Sequence, residues 1–296
     1  MREYVIFGDS TCDLNKELRE RYEIEYVPMN FVLEGKEYPA SLDWEAMTAH
    51  DFYEAMRAGK RITTTQVPAE IYHSCFSKCV EQGKDVLYIA CSSALSGSIN
   101  TAAVVAKELM EENPEAKIIC IDALNSSFGQ GIQLMWASEM RTEGKSIEEV
   151  EEYLLKNRNC INQCGTVGKL DYLKRAGRVT ASSAFFGNLI GIKPIVISDA
   201  KGQNFAIKKA KGFQNALKEI ALHQKEMGIN LNNQIVYISH ADDEAAAKAL
   251  GERIKAETGC KELFYDYIGP IVGASVGPGT IISYVIGKEE TTIGEA

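Results

Sequence analysis

The sequence predicts an α/β protein of two domains. Residues 1–160 read as an N-terminal domain with a doubly wound, mostly parallel sheet, and residues 161–296 as a C-terminal α/β domain with a mixed sheet and helices. Three observations carry this. Short apolar runs alternate with helix-period segments through the first half, the pattern that builds parallel sheets. The second half holds a hairpin signal, Asp199-Ala200-Lys201-Gly202-Gln203, between two extended runs. A chain of 296 residues with 45% hydrophobic content is long and apolar enough for two ordinary cores.

Taken in order, Tyr4–Gly8 is a strand, and Asp13 is placed to cap a helix over 15–22. Residues 25–28 and 30–33 are extended, with a turn at Glu34-Gly35-Lys36. Thr48 caps a helix that stops at Gly59. Residues 62–65 are extended, and Pro68 opens a helix ending at Gly83. Strand 86–90, helix 97–112, strand 117–121 and helix 129–143 follow. Ser146-Ile147-Glu148-Glu149 is a capping box for a helix to about 157. Beyond the boundary, 161–167 is extended, and 193–198 with 204–208 forms the hairpin. A helix spans 212–227, a strand 234–239, and Asp242 is placed to cap an alanine-rich helix to Thr258. Residues 262–267 form a strand, and 279–286 read as helical.

The bulk properties exclude several functions. A net charge of −9 argues against nucleic acid or an anionic membrane surface as partner. No apolar run approaches the roughly 20 residues of a membrane span, so stable membrane insertion is not expected. Met1-Arg2-Glu3-Tyr4-Val5 enters a strand without signal-peptide architecture, which points to a cytoplasmic protein. Cys75/Cys79 and Cys160/Cys164 have the wrong spacing for redox or zinc pairs, and the eight cysteines read as small buried hydrophobes. No metal site and no cofactor are expected. Neither a phosphate-binding Gly-x-x-x-x-Gly-Lys-Ser/Thr loop nor a Gly-x-Gly-x-x-Gly after the first strand is present.

Function concentrates in small-polar loops at strand ends. Gly8-Asp9-Ser10-Thr11-Cys12-Asp13 follows the first strand, and Thr63-Thr64-Thr65-Gln66 ends another, placing hydroxyls on both of its faces. Cys91-Ser92-Ser93-Ala94-Leu95-Ser96-Gly97-Ser98 joins a strand to a helix, where free backbone N–H groups and hydroxyls could grip an anion. Asp122-Ala123-Leu124-Asn125-Ser126-Ser127-Phe128-Gly129 lies at the same sheet edge, where parallel sheets bind ligands. A serine nucleophile at Ser93 or Ser96, giving a lipid or acyl hydrolase, is the alternative. It lacks the Gly-x-Ser-x-Gly elbow and a recognisable base among His50, His73, His223 and His240. A small-anion sensor without lipid is a third reading. Arg175 and Arg178 form a basic knot in this acidic chain, suited to a phosphate or an acidic partner. The apolar stretch 184–192, where small residues sit among Phe and Ile, can leave a channel. Ser239-His240-Ala241-Asp242 is explained by helix capping.

In this order the loops resemble the DegV family of bacterial fatty-acid-binding proteins. Asp9-Ser10-Thr11-Cys12-Asp13-Leu14 matches that family's opening motif, and Thr64-Thr65-Gln66 resembles its Thr-Ser-Gln-Pro loop with Val67 in place of proline. Ser92-Ser93-Ala94-Leu95-Ser96-Gly97-Ser98 matches its Ser-Ser-x-Leu-Ser-Gly-Thr. Asp122 with Ser127, Gly129 and Gly131, and Leu173-Lys174-Arg175-Ala176-Gly177-Arg178, fit two further motifs. The similarity runs from residue 3 to about 288.

The resemblance implies a long-chain fatty acid, such as palmitate or oleate, held between the two domains with its tail in the second. It assigns the carboxylate to Thr64 and Ser93, with Thr65, Ser92 and Ser275 beside them and Ser10, Ser127 and Gly277 as further loop candidates. It also implies a non-catalytic protein that presents the acid to a separate ATP-dependent fatty acid kinase, with Arg175 and Arg178 facing that partner. Ser275 departs from the family, which often carries histidine in Gly-x-His-x-Gly-Pro-Gly.

Overall fold

The computed structural model describes residues 2–180 and 191–294. Within them the chain forms two compact units. The first comprises residues up to Ala46, Thr64–Arg158 and Gly269–Ile271; the second comprises Met47–Thr63, Asn159–Ile268 and the residues from Val272 on. One break falls after Arg158. A single cut does not describe the division, however, because Met47–Thr63 group with the second unit and Gly269–Ile271 with the first.

The first unit is built on a sheet of four parallel strands, β1 (Tyr4–Asp9), β2 (Ile24–Val27), β6 (Asp85–Ala90) and β7 (Ile118–Asp122), in the order β2-β1-β6-β7. Every residue of β6 is buried, as the central strand of a parallel sheet must be. Helices α3 (Ala69–Glu81) and α4 (Ser98–Glu112) pack on one another, as do α5 (Phe128–Thr142) and α6 (Ile147–Asn157), and all four lie against the sheet. The capping box on α6 forms as the spacing predicts, with Ser146 and Glu149 exchanging bonds. A small sheet orders β4 (Lys36–Pro39), β3 (Asn30–Leu33) and β5 (Ile62–Thr65). Strand β5 carries Thr64 and Thr65 at its end.

The second unit holds a six-stranded mixed sheet, β10-β9-β8-β13-β11-β12. Strands β8 (Ile161–Thr166), β9 (Ile192–Ser198) and β10 (Asn204–Lys211) pair antiparallel, and the predicted hairpin joins β9 to β10. Strand β11 (Ile235–His240) runs parallel to β12 (Glu262–Tyr267), as the helix α9 (Glu244–Thr258) between them requires. Helices α8 (Phe213–Met227) and α9 cover the sheet over a core that includes Ile195, Ile197, Leu217, Ile220, Val236, Ile238, Leu250, Ile254 and Ile281.

Three local expectations are corrected. Residues 281–286 form β13 (Ile281–Ile286), an interior strand between β8 and β11, and not a helix. The helix lies just before it, as α10 (Pro270–Val276). The cap of α1 (Lys16–Arg21) is Asn15, whose side chain accepts the Leu18 N–H at 2.9 Å, and not Asp13. The cap of α9 is Asp243, which accepts from Ala246 N–H at 3.1 Å. Asp242 is drawn away to Arg57 of α2 (Ala49–Arg57), whose guanidinium binds its carboxylate and, at 2.9 Å, its backbone carbonyl.

Candidate functional site

In the first unit, three of the predicted loops meet at the carboxyl ends of β1, β6 and β7. Ser127 N–H donates to the Thr11 carbonyl at 2.7 Å, and Ser92 N–H to the Asn125 carbonyl at 3.0 Å. The threonine loop reaches the same place. A Cβ built on Gly97 would lie 2.6 Å from Gln66 Oε1, so the Gln66 side chain rests directly on the start of α4. Thus the Asp9, Thr64, Ser92 and Asp122 loops form one cluster, three of them carried by strands of the parallel sheet and the Thr64 loop by β5 of the small sheet.

The Ser-Ser loop does not present the open backbone amides expected of a helix N-terminus. Ser93 N–H donates to Asp122 Oδ1 at 3.2 Å, and Ala94 N–H to Ser92 Oγ at 3.2 Å. Leu95 and Ser96 N–H groups both reach the Ser92 carbonyl, at 2.9 and 3.0 Å. Ser98 N–H donates to Ser96 Oγ at 3.3 Å. The loop is self-satisfied because short hydroxyl and carboxylate side chains compete well for local amides. What it offers outward is side-chain chemistry: the exposed Ser93 hydroxyl.

The remaining candidates divide. Thr65 is exposed and sends its hydroxyl toward the Asn30 carbonyl and Glu37, at 3.5 and 3.4 Å. Ser92 is buried and spends its oxygen on the Ala94 amide. Ser10 is buried and accepts the Met29 N–H at 2.9 Å, which fixes β1 to the segment after β2. Ser127 is buried at the start of α5 with φ 53°. These last three positions build the loops from beneath.

In the second unit, Ser275 is half-buried on α10. Gly277 follows at φ 76°, and a Cβ there would lie 2.3 Å from the Tyr172 ring, so packing alone demands glycine. Arg175 and Arg178 are both exposed at the end of α7 (Leu170–Ala176). The Arg175 guanidinium lies over the Tyr172 ring at 5.5 Å, and Arg178 donates to the Ala176 carbonyl. The predicted apolar channel at 184–192 falls largely on residues 181–190, outside the described residues.

Titration and charge give little support to other chemistry. Burial pushes the Cys91 and Cys12 thiols far up, so both stay protonated and inert. His50, Glu54 and Asp242 bring ligand atoms within 4.8 Å of one another in the second unit. Arg57, paired to both Glu54 and Asp242, already supplies the cation there.

The residue that sequence reading missed is Asp9. Its carboxylate is fully buried and accepts Thr11 N–H at 3.0 Å, Tyr88 Oη at 2.9 Å, Cys91 N–H at 3.2 Å, and the Thr11 hydroxyl. Its sequence cues were its place at the end of the first strand and in the opening Asp9-Ser10-Thr11-Cys12-Asp13-Leu14 motif, neither of which set it apart from its neighbours.

Comparison with known proteins agrees with the shared motifs. The family model described as "Uncharacterised protein, DegV family" matches residues 3–287. A DegV domain-containing protein of Clostridium perfringens is 34% identical over 287 residues, covering 97% of this chain and 98% of that one. Among solved structures, a DegV family protein of Thermus thermophilus described for its fatty acid binding superposes with a TM-score of 0.87 at 28% identity, over 97% of this chain and all (100%) of that one. A DegV lipid-binding protein of Thermotoga maritima gives 0.85 at 26% identity, over 98% of this chain and 100% of that one. No helix among the described residues is long and apolar enough to cross a membrane.

Proposed function

The chain belongs to the DegV family, and on that premise we propose that it binds a long-chain fatty acid. The observation that carries the reading is the hydroxyl cluster of the first unit: exposed Ser93 and half-buried Thr64 on loops that touch through Gln66 and Gly97. Both relatives named above by structure are described as binding fatty acid or lipid, and they match nearly the whole chain.

Neutral hydroxyls are sufficient for a carboxylate because each O–H donates one charge-assisted bond to an ionised acceptor. Affinity comes from the tail. Burying about 14 methylenes at ~0.8 kcal/mol each gives roughly 11 kcal/mol gross. Ordering the chain and desolvating the head group offset part of that. Thr64 and Ser93 would hold the carboxylate, with Thr65 beside them in sequence; in the second unit, Ser275 stands where the family often carries histidine.

The protein in this reading is a cytoplasmic, non-catalytic carrier. It would present the acid to a separate ATP-dependent fatty acid kinase, with the exposed Arg175 and Arg178 toward that partner. The hydrolase alternative needs a base on Ser93 or Ser96. Ser96 instead donates to Ser98 at 3.1 Å, and His73 is paired with Ser77 at 3.2 Å.

Titration of purified, delipidated protein with palmitate and oleate, read by melting temperature, tests the proposal. Both acids should raise it in a saturable way. Failure of both, together with hydrolysis of nitrophenyl esters abolished by Ser93→Ala, would replace the carrier with the hydrolase.

A further inference from the structure

We propose that Asp9 is a positioning residue for fatty-acid head-group recognition, holding the Ser-Ser loop through the Cys91 amide while a chain of two tyrosine hydroxyls holds Asp9 in place. The proposal rests on the fatty-acid reading above and deepens it. Asp9 Oδ2 accepts from Tyr88 Oη at 2.9 Å, and Tyr88 Oη lies 2.8 Å from Tyr72 Oη. On the loop itself, Ser96 Oγ donates to Ser98 Oγ at 3.1 Å. Asp9, Tyr72, Tyr88 and Ser98 are all buried.

The direction of the chain follows from its inner end. Tyr88 gives its single proton to Asp9 Oδ2 and must therefore accept from Tyr72. Both phenols are held above their ordinary range, chiefly by burial and then by the Asp9 charge, so neither ionises and each remains a donor. Such aligned bonds polarise one another in a low-dielectric interior.

The recognition loop is tied down at both ends. At the β6 end, Asp9 Oδ2 holds the Cys91 amide, the residue before Ser92. At the α4 end, Ser96 accepts the Ser98 N–H and donates to the Ser98 hydroxyl, closing the loop across Gly97. Ser93 sits between these anchors, so its hydroxyl is aimed by groups that never touch the ligand. A second tie is the Thr11 N–H, which Asp9 Oδ1 accepts at 3.0 Å, while Gln130 Nε2 of α5 holds the Ile89 carbonyl at 2.9 Å. Asp9 thus sits where β1, β6 and α5 are joined to the loop.

Asp9→Asn puts an amide N–H₂ among groups that are all donors, and it should reverse or break the chain. Tyr88→Phe removes its first link without changing charge. The discriminating readout is the ratio of affinities for palmitate and its methyl ester. A loss of fold or of tail packing weakens both ligands alike, whereas mis-aimed head-group donors weaken only the acid. Tyr88→Phe and Asp9→Asn should each reduce palmitate affinity about tenfold and change methyl ester affinity less than about twofold. Tyr72→Phe should do the same to a smaller extent. An acid-to-ester ratio equal to wild type in folded Tyr88→Phe protein would overturn the proposal and leave fatty-acid binding intact. Wild-type protein that binds neither ligand would instead remove the underlying reading, and the proposal with it.

Discussion

The Asp122 carboxylate accepts the backbone N–H of Ser93 at 3.2 Å and that of Leu124 at 2.9 Å. It therefore pins the Ser-Ser loop to the end of β7 and removes the Ser93 amide from ligand recognition. Ser93 is left with its hydroxyl. Ser93→Ala should then weaken fatty-acid binding by about 1–3 kcal/mol, the cost of an unmet buried carboxylate bond. Isothermal titration with oleate measures it, and unchanged affinity would take Ser93 out of the head-group contact.

Thr64 and Thr65 should behave differently although they are adjacent and chemically identical. Thr64 is half-buried, whereas Thr65 is exposed and directs its hydroxyl toward Asn30 and Glu37. Thr64→Val is expected to cost about 1–3 kcal/mol of binding, and Thr65→Val less than about 0.5 kcal/mol. Comparable losses for both would mean that Thr65 turns toward the ligand.

Gly277→Ala should destabilise the second unit by about 2 kcal/mol or more. The added Cβ meets both a left-handed φ of 76° and the Tyr172 ring at 2.3 Å. Chemical denaturation reads this directly. A cost below about 0.5 kcal/mol would show that α7 moves aside freely.

Stability should fall on mild acidification. Burial holds the pKa of both His240 and His223 below the ordinary 6.5, so the folded protein resists protonation that the unfolded chain accepts. The unfolded state binds more protons, and stability is lost as pH drops below 6.5 toward the depressed folded values. Melting temperature should decline from pH 7 to pH 5.5, and His223→Gln with His240→Gln should flatten that slope. An unaltered slope in the double variant would assign the acid sensitivity to carboxylates.

The sequence made the parallel half of the fold legible because each helix there announces itself with a start or stop, such as Thr48, Pro68 and Ser146. The mistaken helix at 279–286 shows what misled the reading. Gly279 resembled a helix start, yet Ile281-Ile282-Ser283-Tyr284-Val285-Ile286 is rich in residues that favour strands. The true helix α10 was hidden by Gly273 and the following glycines. The misplaced cap of α9 has another cause: Asp242 and Asp243 are equally good caps in isolation, and Arg57, far away in sequence, decides between them. At the site, the hydroxyl residues were readable as motifs. Their division into outward-facing Ser93 and inward-facing Ser10, Ser92 and Ser127 was not, because it depends on which amide each oxygen meets after folding. Asp9 was readable as a motif residue, and its role was not, for the same reason: its partners Thr11, Tyr88 and Cys91 are brought to it from two different strands.

Mass spectrometry of an organic extract of the purified protein tests fatty-acid binding most directly. The expected result is a stoichiometric long-chain fatty acid, released on denaturation and restored by incubation with palmitate or oleate. An empty extract, combined with no rise in melting temperature when either acid is added, would contradict it.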